Sequence, residues 1–254
     1  MSSLSTSAWS DDAIADLLTH QRLASYLRAA NSRLTDALGL YDWNTDAAGS
    51  ALSLIAMTEV VSRNAIDQAL RDWSRRRYGN DTWFDTVRLD TRGQADLQVA
   101  RARASTRTSG EIHGKVIAEL TFGFWRYLTA SRYLTLLWTP ALHRAFPFGH
   151  PDITTRRRCV EQRMQRLLFV RNRAAHHEPL HQRNMDEVVA DAVDLAGWIS
   201  PDAAAWIHAR ERLSQVYRGK PVVPRAARQL NRRRRAVGRE PYSAAVDRSA
   251  TGRC

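Results

Sequence analysis

The residues most able to do chemistry cluster between Phe169 and Pro179, in the order Phe-Val-Arg-Asn-Arg-Ala-Ala-His-His-Glu-Pro. Arg171, Asn172 and His176 supply a permanent cation, an amide and a group that titrates near neutrality. On a helix, positions four apart share a face, which pairs Asn172 with His176 and Arg173 with His177. Arg171 stands about 140° around the axis from His176, within the swing of its long side chain or in reach of a second copy of the helix. Ala174 and Ala175 leave room beside the polar groups. A helix C-terminus favours His and Arg through the backbone dipole, and that alone accounts for His177 and Arg173. It accounts less well for Arg171, Asn172 and His176 following directly on Leu167-Leu168-Phe169-Val170.

RNA offers a reaction that such a cluster can run. Its 2′-hydroxyl attacks the adjacent phosphorus and expels the 5′-oxygen, leaving a 2′,3′-cyclic phosphate. His176 would move a proton near neutral pH, Arg171 would offset charge on the phosphate oxygens, and Asn172 would orient His176 or the phosphate. A metal nuclease would want clustered carboxylates, and residues 156–185 offer only Glu161 and Glu178. No phosphate-binding glycine loop, HExxH or CxxC pair occurs, so no cofactor and no metal are expected. One histidine is one proton-transfer group. A symmetric dimer at this helix would supply two.

The segment Arg171 to His176 resembles the R-(4 to 6 residues)-H motif of HEPN ribonucleases, and the string through His177-Glu178-Pro179 resembles the Abi-like (abortive infection) branch of that superfamily. Further landmarks of that branch are matched by Arg22-Leu23, Tyr26-Leu27 and Tyr41-Asp42-Trp43-Asn44, by Glu59 with Arg63-Asn64, and by Glu119 to Trp125. Leu134 to Pro140 and Leu142 to Pro147 extend the resemblance. It implies an all-α, HEPN-like helical bundle with additional N-terminal and connecting helices. It also implies a metal-independent endoribonuclease of a phage-defence or toxin–antitoxin-like system, with Arg171, Asn172 and His176 as the catalytic residues. The enzyme would be a cytoplasmic homodimer joined through the motif helix, with an RNA substrate and a neutralising antitoxin of protein or RNA. His177, Arg173, Glu59, Arg63 and Asn64 are auxiliary candidates. Glu59 and Arg63, four apart, read either as an ion pair that positions the core or as a pair around the catalytic helix that supports its residues or contacts RNA. Two other readings compete: a non-catalytic HEPN-like module that binds RNA or protein, and an arginine-rich helical DNA-binding protein.

Composition agrees with a nucleic-acid partner. The net charge is +12, and only Lys115 and Lys220 among the 38 basic residues are lysine. A genome that favours arginine codons would give the same bias. Residues 1–60 carry 3 basic and 7 acidic side chains, whereas residues 121–180 carry 10 and 3, so the positive field centres on the motif. Cys159 and Cys254 are too far apart in sequence to read as a metal pair and indicate no disulfide framework. No apolar run approaches a membrane span, and the Ser-rich start is no secretory signal, so no membrane partner is expected.

The elements that must position the motif follow from periodicity. Residues 1–14 read as a disordered N-terminus that a short helix over 11–18 overlaps, 15–215 as the helical domain, and 216–254 as a basic flexible tail. Leu38 to Asn44 reads as a turn with anchoring aromatics, followed by a long helix over 47–73. Residues 95–104 fit an exposed helix, and 111–127 a strong helical pattern in which Gly123 permits close helix approach. One helix is expected over 155–177, with Val160, Met164, Leu167, Leu168 and Val170 as its apolar face and Arg156, Arg157, Arg158, Arg163 and Arg166 as a positive one. Pro179 should stop it near His177 or Glu178. Asn184 or Asp186 would cap the next helix over 187–199, and Pro201 precedes another over 203–217.

Overall fold

The computed structural model describes residues 9–105 and 111–222. The described residues are all-α, with no strand among them. The chain divides into two compact units, at Tyr41/Asp42 and at Lys220/Pro221. The expected disorder of residues 1–8, the tail from 223 onward and any role of Cys254 lie outside the described residues.

In the smaller unit, α1 (Asp11–Leu18) starts at Ser10, whose hydroxyl accepts the Ala13 N–H. The helix therefore begins before residue 15, within the stretch expected to be irregular. Thr19 then caps α2 (His20–Ala29) by accepting the Arg22 N–H. The Tyr26 ring meets Tyr41 edge-on at 5.3 Å between centroids.

α3 runs unbroken from Leu34 to Tyr78, so the turn expected at 38–44 does not exist. Gly39 weakens a helix by only about 1 kcal/mol relative to alanine, and no proline interrupts the run. Packing outweighs that cost: in the larger unit Trp43 and Asn44 are both buried and hydrogen-bonded. The buried stripe of α3 there is Ala51, Leu54, Ile55, Thr58, Ser62, Ile66 and Leu70, whereas Val60 is 42% exposed.

Beyond Gly79 (φ +70), which makes the turn after α3, Trp83 opens the short helix α4 (Trp83–Thr86). Its buried indole donates to Asp67 Oδ1 at 2.7 Å. α5 (Thr91–Ala104) is not simply exposed, because Leu97, Ala100 and Ala104 are buried. The pattern over 111–127 splits into α6 (His113–Glu119) and α7 (Phe122–Leu128), which carries the buried Phe122, Phe124, Trp125 and Tyr127. A Cβ on Gly123 would make only ordinary contacts, 3.5 Å to Thr121 and 3.9 Å to Leu168, so close approach does not require that glycine. Between Pro140 and Pro147 and just before them the helices are short pieces, as the prolines dictate.

α8 (Ile153–Ala175) is the motif helix, capped by Asp152. Its arginines do not form a positive outer face. Arg156, Arg157 and Arg163 are buried. Arg156 donates to the carbonyls of His150 (2.6 Å) and His143 (3.1 Å). Arg157 binds the Thr129 carbonyl at 2.9 Å and Glu161 at 2.6 Å. Arg163 reaches Asp194 at 2.8 Å under the Trp198 ring, and Arg166 chelates Asp191. Buried guanidinium groups must be paired, and these tie α8 to its neighbours. α9 (Met185–Ile199) is capped by Asn184, whose side chain accepts the Asp186 N–H. α10 (Pro201–Arg210) begins on its proline, and α11 (Leu213–Arg218) continues past residue 215, the expected domain edge.

Candidate active site

Helix α8 ends at Ala175, slightly earlier than expected from Pro179 alone. His176 is the cap, and His177 takes a left-handed conformation (φ 56). The His177 N–H bonds the Ala174 carbonyl at 3.1 Å, and the Glu178 N–H bonds the Arg173 carbonyl at 2.7 Å. These two bonds form a Schellman closure with histidine where glycine is usual. The two histidines therefore differ in kind. His176 caps the helix with its N–H still bonded to the Asn172 carbonyl, whereas His177 makes the turn.

The loop beyond is fastened at several points. Arg173 donates through Nε and Nη2 to the Pro179 carbonyl, at 3.3 and 2.8 Å, and pairs with Glu178 at 3.2 Å. Asn44 Oδ1, from α3, accepts the buried Leu180 N–H at 2.6 Å. Next to Asn44, the Trp43 indole donates to the Val216 carbonyl at 2.8 Å, and Lys220 lies 5.2 Å over the Trp43 ring. The Lys220 ammonium also donates to the His181 carbonyl. His181 is buried, and that burial, with Lys220 and Arg173 nearby, holds its imidazole below the usual histidine range. None of these support roles is legible in residue order, although Trp43 and Asn44 belong to one of the quoted landmarks.

Arg171, Asn172 and His176 are all exposed. Arg171 Nη1 donates to Asn172 Oδ1 at 3.4 Å, so the amide engages the arginine. The face shared by Asn172 and His176 is expressed in the backbone, where the His176 N–H bonds the Asn172 carbonyl at 3.0 Å.

Glu59 of α3 completes the neighbourhood. Burial pushes its carboxyl above the usual range, against the opposing pull of Arg171, then of Arg63, and of the Phe122 N–H that it accepts. Arg171 of the motif and Arg63, the residue four places along, both favour its ionised form, and neither is in direct hydrogen-bond contact with it. Glu59 and Arg63 form no direct ion pair, contrary to the structural half of the expectation for them. Asn64 is exposed on the neighbouring turn. In the first turn of α7, Thr121 takes the Phe124 N–H at 3.3 Å.

The assembly thus places an arginine, an amide and a histidine on the outer surface of one helix end, where an anion can reach the Arg171 guanidinium. An exposed imidazole at the end of the same helix can exchange protons with solvent or ligand. Among the described residues no three His, Cys, Asp or Glu side chains come together as metal ligands would. No described helix is long and apolar enough to cross a membrane. Comparison with family models, with curated proteins and with solved structures gave no match.

Proposed function

We propose that this protein is a metal-independent endoribonuclease of the HEPN type, related to the Abi-like branch, that cleaves RNA by attack of the 2′-hydroxyl. The O2′–P bond forms as the P–O5′ bond breaks. The 2′-hydroxyl gives up its proton, the departing 5′-oxygen gains one, and the products carry 2′,3′-cyclic phosphate and 5′-hydroxyl ends. His176 is the proton-transfer group. Arg171 binds the non-bridging phosphate oxygens and offsets their charge as the bonds exchange. Asn172, bonded to Arg171, steers the guanidinium or a phosphate oxygen. Glu59 is a positioning residue that acts through Arg171.

The observation that carries this reading is the joint exposure of Arg171, Asn172 and His176 at the end of one helix, with the Arg171 guanidinium donating to Asn172. The active species is a homodimer whose motif helices share a cleft, so that one His176 accepts a proton while the other donates one. Such an enzyme acts in the cytoplasm, in phage defence or a toxin–antitoxin-like system, under the restraint of a protein or RNA antitoxin.

The test is to incubate the purified chain with single-stranded RNA in EDTA and identify the ends. Cleavage with 2′,3′-cyclic phosphate ends is expected. RNA binding without any cleavage would move the protein to the rival reading, a non-catalytic RNA-binding module.

A further inference from the structure

Away from the motif, a cleft of about 530 Å³ opens between α3 and the α10–α11 corner, all within the larger unit. Gly49, Ser50 and Ser53 of α3 line one side, and Trp206, Arg210 and Arg212 the other. Trp206 is 48% exposed, although an indole is among the side chains with most to gain from burial. Trp206 and Arg210 stand four apart on α10 and so share a face. Neither Arg210 nor Arg212 has an acidic partner among the described residues, in contrast to the paired arginines of α8. No acidic side chain lines the cleft.

An open aromatic face, two unneutralised guanidinium groups and two hydroxyls match one ligand chemistry: a flat base joined to a phosphate. The indole offers a stacking surface for any base, and arginine binds phosphate bidentately. The volume lies within the range of small-ligand sites. On α3 the lining residues lie on a different face from Glu59, since Ser53 and Glu59 are about 120° apart around the axis. We propose that this cleft binds a nucleotide unit, with the base stacked on Trp206 and the phosphate held by Arg210 and Arg212. The unit is either a free mononucleotide or one residue of a single-stranded RNA. The proposal does not depend on the chemistry assigned to Arg171 and His176.

The test is calorimetric titration of the full chain with adenosine 5′-monophosphate, adenosine, inorganic phosphate and a 2′-O-methyl pentanucleotide, which lacks the attacking hydroxyl. Tightest binding by the monophosphate identifies the free nucleotide as the source. Binding by the pentanucleotide alone identifies the strand. In either case Trp206→Ala and the double variant Arg210→Ala/Arg212→Ala should each weaken binding about tenfold, whereas Trp206→Phe, which keeps a stacking face, stays close to wild type. The double variant should also flatten the salt dependence. The side chains are exposed, so circular dichroism should be unchanged. Affinities that ignore both Ala variants, inorganic phosphate binding as tightly as the nucleotide, or no binding by any probe would each overturn the proposal.

Discussion

Asn44 Oδ1 holds the Leu180 N–H at 2.6 Å, joining the middle of the long helix α3 to the loop that follows the histidine pair. Both groups are buried. Asn44→Ala leaves the Leu180 amide without its acceptor, which costs about 1–3 kcal/mol. Urea unfolding should show the midpoint falling with an unchanged slope. A midpoint equal to that of wild type would mean that another acceptor takes over the amide.

His177 and His176 should respond differently to substitution. His177 holds a left-handed backbone that glycine adopts without cost. His177→Gly is therefore expected to retain cleavage and to be more stable by about 0.5–1 kcal/mol, since a non-glycine residue gives up roughly that much or more in this conformation. Loss of cleavage in this variant with an intact fold would transfer the proton-transfer role to His177.

Glu59 makes a pH-dependent contribution whose sign follows from its burial. Its folded-state pKa is raised, so over the interval from the ordinary carboxylate value up to the raised one the folded state holds a proton that the unfolded state has lost. Stability therefore falls as pH rises through that interval. Glu59→Gln removes the titration. Unfolding free energies measured from about pH 4 to about pH 7 should show wild type losing ground to the variant as pH rises. A gap that stays constant, or moves the other way, would contradict the burial argument.

Lys220 belongs with the folded part, because it ties the His181 carbonyl to the Trp43 ring. A chain cut after Val222 should keep its thermal midpoint, whereas one cut after Gly219 should lose a few degrees. Removal of the basic residues beyond 222 should weaken RNA binding at low salt, with the difference shrinking as salt rises. Equal salt slopes for the full and shortened chains would show that those charges do not touch RNA.

Much of this arrangement could be read from residue order, and the exceptions share a cause. Pro179 and Asn184 act through local backbone rules, so the end of α8 and the start of α9 fall close to where those residues dictate. Gly39 and Asn44 carry the same local turn signals, yet they sit inside a helix because Trp43 and Asn44 find partners at Val216 and Leu180 far along the chain. The arginines of α8 look like a solvated positive face because their partners include the carbonyls of Thr129, His143 and His150, which leave no mark in a sequence. The burial of Glu59 is hidden for the same reason, since tertiary packing and not its local spacing to Arg63 sets its surroundings.

Assembly can be checked through solution mass together with the distance between labels placed on the two motif helices. A homodimer with those helices adjacent is expected. A fully active monomer, or a dimer with its motifs on opposite sides, would rule out a shared cleft.

The central claim is that Arg171 and His176 perform RNA cleavage while contributing little to the fold. Its most direct test is the single-turnover cleavage rate of wild type, Arg171→Ala and His176→Ala on one single-stranded RNA, with circular dichroism and thermal midpoint recorded on the same samples. Both side chains are exposed, so the helical signal and the midpoint should be preserved. Cleavage should fall by at least about 100-fold in each variant, the scale expected for loss of a general acid–base group or of a phosphate-charge contact. Well-folded variants that cleave at the wild-type rate would contradict it.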